Sequence, residues 1–185
     1  DISRDHLRVA AQEVAIDFPW LEVHAACTDF TRLMTLPPNS PEGRRLAFFP
    51  GSSIGNFDPD AAVAFLGMIA DMVGPDGQLL IGVDLKKHKA VLEAAYDDAQ
   101  GVTAAFNLNL LARINRELGA DFDLAQWRHK ALYNEARGRI EMHLVSRLAQ
   151  QVSLQGQTFR FAGGETIHTE NSYTYSGAEL RDPPS

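Results

Sequence analysis

The sequence predicts an α/β chain, a piece of doubly wound parallel sheet followed by a mixed α+β region. Three observations carry this. Helix-like and strand-like patterns follow one another to about residue 86, the order that builds parallel sheets. QLLIGVDL (78–85) is almost continuously apolar, as a strand covered on both faces would be. Beyond residue 86 the pattern changes to helices and then to several short strand-like runs separated by turn residues.

Residues 4–18 place Leu7, Ala10, Ala11, Val14 and Phe18 at helical spacing, behind Ser3 as a candidate N-cap and ahead of Pro19, which stops the helix. LEVHAAC (21–27) reads as a short buried strand, followed by a polar, proline-rich loop to about Arg44. RLAFF (45–49) reads as a second strand. Asp58 can cap the next helix, Pro59 suits its first turn and Gly74-Pro75 ends it. Ala62, Phe65, Leu66, Ile69, Met72 and Val73 form its apolar stripe. After the 78–85 strand come helices over 88–98 and from Thr103 to Gly119, the second with Ala104, Leu108, Leu111, Ile114 and Leu118 on one face. WRHKALYN (127–134), RIEMHLVSR (139–147), QQVSL (150–154) and TFRF (158–161) read as strands, with EARG and LQGQ as hairpin turns. Ile140, Met142 and Leu144 alternate with Glu141, His143 and Val145, which predicts a sheet with one wetter face.

A length of 185 residues suits one domain, or one and part of another. The formal net charge is −7 and lysine and arginine do not cluster, which argues against a nucleic-acid partner. A single cysteine, Cys27, excludes a disulfide within the chain and fits a reducing cytoplasm. No apolar run reaches membrane-spanning length. The chain opens at Asp1 without a methionine and closes in RDPPS as a helix is about to start, so it is expected to be a piece of a longer protein.

The stretch FFPGSSIGNFDP (48–59) is the candidate site. It lies where an α/β sheet binds ligands, beyond the carboxyl end of a strand. Its glycines let backbone approach a ligand, Ser52, Ser53 and Asn56 offer neutral polar groups, and Asp58 marks a helix start. The plainer alternative is a loop whose glycines and Asn56 serve its own turns. GSSIGN lacks the Lys-Ser/Thr of a phosphate loop and is not G-x-S-x-G. The histidines show no metal-ligand spacing, and His168 near Glu165 and Glu170 suggests a solvated strand face before it suggests a metal. Asp1 stands where an acid at a strand end grips ribose hydroxyls. Asp29 and Phe30 could touch an adenine, or could be a loop acid beside a core aromatic.

FFPGSSIGNF, IGVDLKK, AAYDDAQGVTAAFNLNLLARINRELGADFD, RIEMHLVSR and GETIHTENSYTY, spread from Asp1 to about Tyr175, resemble the S-adenosylmethionine-dependent histidine Nα-methyltransferases of ergothioneine biosynthesis. The resemblance implies a partial Rossmann-like methyltransferase sheet with a second α+β substrate domain. It divides the chain into 1–86, 87–175 and a truncated return to the first domain at 176–185. It implies S-adenosylmethionine as methyl donor, no metal, histidine as the small-molecule substrate and hercynine as product, and leaves the oligomeric state open. Asp1 would bind the donor's ribose, with Asp29 and Phe30 flanking its adenine. Gly51 and Asn56 would lie at the substrate's amino acid head, Asn56 bonding the amine and acting as the catalytic residue. Tyr96 would hold the carboxylate, Met142 would pack near the imidazole, and Glu170 and Ser172 would bond its nitrogens. Each has a structural alternative: Tyr96 at a domain seam, Met142 in a strand core, Glu170 and Ser172 as solvated strand residues.

Members of that family carry, before the position of Asp1, a first strand with a glycine-rich donor turn and a helical segment that contributes tyrosines to the substrate. These are not in the 185 residues, so the chain by itself is expected to bind donor poorly and to be inactive. Two other readings remain open at this level. One is a methyltransferase of the same family for another amino acid or amine; the other is a non-catalytic paralogue that binds a small molecule.

Overall fold

The computed structural model describes residues 2–32 and 43–180. By their internal contacts the residues form two compact units, Asp1–Ala47 with Val63–Leu79, and Phe48–Ala62 with Leu80–Ser185. The chain therefore passes from one unit to the other within three successive elements: strand β1 (Leu46–Phe49), helix α2 (Pro59–Val73) and strand β2 (Gln78–Ile81).

In the first unit, helix α1 (Arg4–Asp17) starts after an extended Ser3 whose carbonyl accepts from Leu7 N at 2.9 Å. Its apolar stripe is half-buried at Leu7, Ala10 and Ala11 and exposed at Val14 and Phe18. The strand expected over 21–27 does not form, and all seven residues are exposed. A strand is held by its neighbours' backbone, and these residues join no ladder among the described ones. Apolar composition alone therefore misled there. In α2 the expected stripe is correct, with Ala62, Phe65 and Ile69 buried.

Strands β1 and β2 pair in parallel, since Gln78 N donates to Arg45 O and Gly82 N to Phe49 O, both at 2.9 Å. The strand expected over 78–85 is shorter than its apolar run and is not covered on both faces: Gln78, Leu79 and Leu80 are exposed and only Ile81 is half-buried. A two-strand ladder covers little of either face. Further on, Leu85 forms a parallel bridge with Tyr175, held by Lys86 N to Tyr175 O and Tyr175 N to Asp84 O.

The second unit is built on a three-stranded antiparallel sheet in the order β3 (Trp127–Asn134), β4 (Arg139–Ser146), β7 (Thr166–Tyr173). Helices α3 (Lys89–Tyr96) and α4 (Val102–Leu118) pack on it, and a hairpin of β5 (Gln150–Leu154) and β6 (Gln157–Phe161) stands beside it. The expected turn at 155–156 takes left-handed conformations at both residues, as a two-residue hairpin demands. Leu111 of α4, Trp127 of β3 and Leu144 of β4 form a fully buried core, with Phe122 and Phe161 edge-on to the indole at 5.7 and 5.0 Å. Burying each of those side chains contributes about 2 kcal/mol.

The wetter face predicted for β4 is a correction. Every β4 residue is buried except His143, which is half-buried. β4 is the central strand, and its polar face is closed by a side-chain cluster rather than by water. Arg139 donates to Glu141 Oε1 through Nε (2.8 Å) and Nη2 (2.7 Å), and Asn134 Nδ2 donates to the same oxygen (3.0 Å). Burial pushes the Glu141 carboxyl up, but the hydrogen bonds from Arg139, Asn134 and His143 outweigh it and hold it below the ordinary carboxylate range.

Asp98 caps α4 from outside, accepting from Thr103 N at 2.8 Å and Val102 N at 3.0 Å. These bonds, Thr103 first, pull its carboxyl from 3.8 to about 2. A depressed carboxyl stabilises the fold above 3.8 and loses that contribution as pH falls towards 2. Asp98→Asn should therefore flatten the dependence of the urea midpoint on pH in that window, while the wild type keeps its slope.

Candidate functional site

The elbow after β1 is a strained turn. Gly51 and Ser52 both have positive φ, 76° and 58°, before a single 3-10 turn over Ser53–Asn56. Ser52 is not glycine, and its side chain is used: Asp84 N donates to Ser52 Oγ at 2.7 Å, tying the elbow to the segment after β2. Asp58, expected as a helix cap, accepts from Ala62 N through its carbonyl, while its carboxylate accepts from Tyr173 Oη at 3.2 Å.

Gly55 fixes where this turn sits. A Cβ there would lie 2.7 Å from Tyr173 O and 3.4 Å from Ser172 Oγ. The expected use of these glycines was close approach to a ligand, whereas Gly55 approaches the backbone of β7. It holds its neighbour Asn56, which is exposed, beside the end of that strand. Gly55→Ala should lower stability by about 1–3 kcal/mol, because backbone and not a flexible tip must yield. The urea midpoint measures this, and an unshifted midpoint would contradict the packing.

The sheet face turned to α3 and α4 gathers the other predicted residues. Met142 pairs directly with Glu170, and Ile140 with Ser172, so all four point to one side. Met142 and Ser172 are buried and Glu170 is half-buried. Tyr96, the last residue of α3, shares a hydrogen bond of 2.7 Å between its hydroxyl and Ser172 Oγ. The Glu170 carboxylate makes no hydrogen bond among the described residues, and burial raises its pKa above the ordinary range. The structure thus brings Tyr96, Met142, Glu170 and Ser172 onto one face, with Gly51 and Asn56 on the elbow that Gly55 seats against β7.

The residues expected to meet the donor lie in the other unit. Asp29 accepts on one oxygen from Thr31 N (3.0 Å) and Thr31 Oγ1 (2.6 Å), and pairs through the other with Arg32 Nε at 3.3 Å. The Thr31 hydrogen bonds, hydroxyl first, lower its pKa. A carboxylate has about four acceptor positions, so one remains on the outer oxygen beside these described partners. Phe30 packs edge-on to Phe65 of α2 at 6.3 Å. Asp1 lies outside the described residues.

His168 is exposed, in line with the solvated strand face that its sequence position suggests first, and does not group with the carboxylates of Glu165 and Glu170. A register shift between Met142 and His143 pairs His143 with His168, so His168 and Glu170 face opposite sides of β7. Glu165 instead accepts from Ala162 N at 2.7 Å. His168 joins Glu141 and His143, with potential ligand atoms within 4.8 Å of one another. The two imidazoles stack at 4.6 Å with planes 19° apart, so their in-plane lone pairs lie in nearly parallel planes. Burial, with a smaller effect from His168, lowers the pKa of His143, whose Nδ1 is buried without a partner among the described residues.

Sequence reasoning missed the seat that Tyr173 and Gly55 provide, the Arg139–Glu141 pair, and the buried Asn107 and His129 beneath Tyr96. Gly55 and Tyr173 lie inside quoted motifs, but nothing local says that they touch. No helix among the described residues is long and apolar enough to cross a membrane.

Residues 1–183 match the family model described as histidine-specific, SAM-dependent methyltransferase. The chain is 44% identical over 174 residues to the histidine N-alpha-methyltransferase of Mycolicibacterium smegmatis, covering 93% of this chain and 54% of that protein. It is 41% identical over 186 residues to the protein of the same name from Mycobacterium tuberculosis, covering 97% of this chain and 57% of the relative. Ergothioneine biosynthesis protein 1 of Schizosaccharomyces pombe is 29% identical over 187 residues, 98% of this chain and 24% of that protein. The chain therefore spans about half the length of the bacterial relatives. With the match running from the first residue almost to the last, the chain belongs to the SAM-dependent, histidine-specific methyltransferase family.

Proposed function

We propose that the protein transfers methyl groups from S-adenosylmethionine to the α-nitrogen of histidine, giving hercynine for ergothioneine synthesis. The observation that carries this reading is the Glu170 carboxylate, half-buried and without a hydrogen bond among the described residues, on the same face as Met142 and the Tyr96–Ser172 hydroxyl pair. A carboxylate so placed needs a donor to offset its burial, and an imidazole N–H supplies one. Met142 offers an adaptable apolar surface for the ring. Tyr96 and Ser172 have two hydroxyl hydrogens between them; one closes the bond between their oxygens, and with Ser172 as its donor Tyr96 keeps the other for the substrate carboxylate while Ser172 accepts from an imidazole N–H.

The donor supplies an electrophilic methyl on a sulfonium. The amine lone pair forms the new C–N bond as the S–CH3 bond breaks and its electrons return to sulfur. The protein's own contribution is alignment, from which most of the rate can come. Asn56, neutral, accepts from the amine and aims its lone pair. A carboxylate in that place would favour the protonated, unreactive amine. Asp29 would accept from the adenine amino group and Phe30 would line the ring. Asp1 would take the ribose.

The test is mass spectrometry of the full-length protein with histidine and S-adenosylmethionine. Mono-, di- and trimethylated α-nitrogen products are the expected result. Equal methylation of histidine and an amino acid without a side-chain N–H would overturn the histidine reading.

A further inference from the structure

Tyr96 is held at its main chain as well as at its hydroxyl. Its carbonyl belongs to the last turn of α3, where helical partners run out. His129 Nε2, from β3, lies 2.7 Å from that oxygen. A carbonyl only accepts, so Nε2 carries the hydrogen. His129 Nδ1 lies 3.0 Å from Asn107 Nδ2 in the middle of α4. The same amide nitrogen donates to His143 O at 3.3 Å. That second bond fixes the orientation of the amide, because a flip would set Asn107 Oδ1 against a carbonyl. Both amide hydrogens are then in use and Nδ1 is the acceptor, an assignment of the His129 hydrogen to Nε2 made from the hydrogen-bond network. Asn107 and His129 are both buried, at 3% and 8% exposure. A second bond, Tyr133 N to Glu93 Oε1 at 2.9 Å, docks the same helix on the same strand.

We infer that Asn107 and His129 are positioning residues for substrate binding: they lock the end of α3 so that the Tyr96 hydroxyl meets Ser172 and the substrate carboxylate. A buried Asn-His pair in a helix–sheet interface could have been replaced by apolar packing. Its two polar ends instead terminate on the backbone of Tyr96 and of β4. The inference rests on the reading that Tyr96 grips the carboxylate. It adds that the grip depends on a hydrogen bond two side chains away from the substrate.

The experiment uses the full-length protein and compares His129→Gln, His129→Asn and Tyr96→Phe, alone and combined. Glutamine can place an N–H where Nε2 stands; asparagine, too short, fills the place of Nδ1 and leaves the carbonyl unpaired. His129→Asn should raise the KM for histidine about tenfold or more, with kcat within about twofold and donor affinity unchanged. His129→Gln should restore KM to within about threefold. Combined with Tyr96→Phe, His129→Asn should add little, because both act on one hydroxyl. Wild-type KM in His129→Asn, or losses that add in full, overturns the inference. A His129→Asn protein that fails to fold moves the decision to His129→Gln, where a KM raised tenfold in a folded protein also overturns it. Tyr96→Phe binding histidine as tightly as wild type removes the underlying reading instead, and does so independently of His129.

Discussion

Glu170→Ala in the full-length protein should weaken histidine binding about 100-fold and leave donor affinity unchanged. The carboxylate sits half-buried on β7, opposite Met142, with no protein hydrogen bond among the described residues. Its burial cost, visible in the raised pKa, is already present in the free protein. A ligand N–H that meets it gains a hydrogen bond to a charged acceptor, about 1.5–3 kcal/mol, or roughly 10–150-fold in affinity. Glu170→Gln keeps an acceptor oxygen but loses the charge, so an intermediate loss of about tenfold is expected. Selectivity should move with affinity. An amino acid whose ring offers no N–H gains nothing from Glu170, and its weak binding should be the same in wild type and variant. Calorimetry of both proteins with histidine and with such an analogue separates the outcomes. Equal loss for both ligands would mean that the variant damages the fold; no loss for histidine would take Glu170 out of the site.

Much of the fold was legible because its signals were local. The Asp58-Pro59 start and Gly74-Pro75 stop of α2, the Gly119 end of α4 and the hairpin turns at 135–138 and 155–156 each follow from residues within a few positions of one another. The runs that failed were those whose state depends on a distant partner. LEVHAAC has strand composition but no ladder, and 82–85 continues the apolar run of β2 with only a bridge to Tyr175. The polar positions of β4 failed for another reason. Alternation looks the same whether the polar side chains meet water or meet Arg139, Asn134 and each other. The register shift that sends His168 and Glu170 to opposite faces has no sequence signature either, since in a regular strand two residues apart means one face. The site residues were readable only as words of a family. Their grouping depends on Gly55 against Tyr173, a contact between residues 118 positions apart (173 less 55).

Arg139 carries the second large effect, on stability rather than on binding. Its side chain is 8% exposed and that of Glu141 is 11% exposed, and the pair is joined by Asn134, His143 and Tyr173, whose hydroxyl accepts from Arg139 Nη1 at 2.7 Å. Removing one partner of such a pair strands the other charge. Arg139→Ala should therefore cost about 3–5 kcal/mol, read as a lower urea midpoint with an unchanged slope. Arg139→Met with Glu141→Leu should recover part of that loss, because no lone carboxylate remains. Full recovery is not expected. Asn134 Nδ2, His143 Nε2 and the Tyr173 hydroxyl would each lose a partner on a largely enclosed face, and each unmet polar group has its own cost. The guanidinium also lies 5.4 Å from the Tyr173 ring, and Tyr173 is the residue on which Gly55 rests. The double variant should thus be more stable than Arg139→Ala yet bind histidine less tightly than wild type, the cluster acting through Tyr173 on the seat of the elbow. Wild-type affinity in the double variant would confine Arg139 to holding the sheet together.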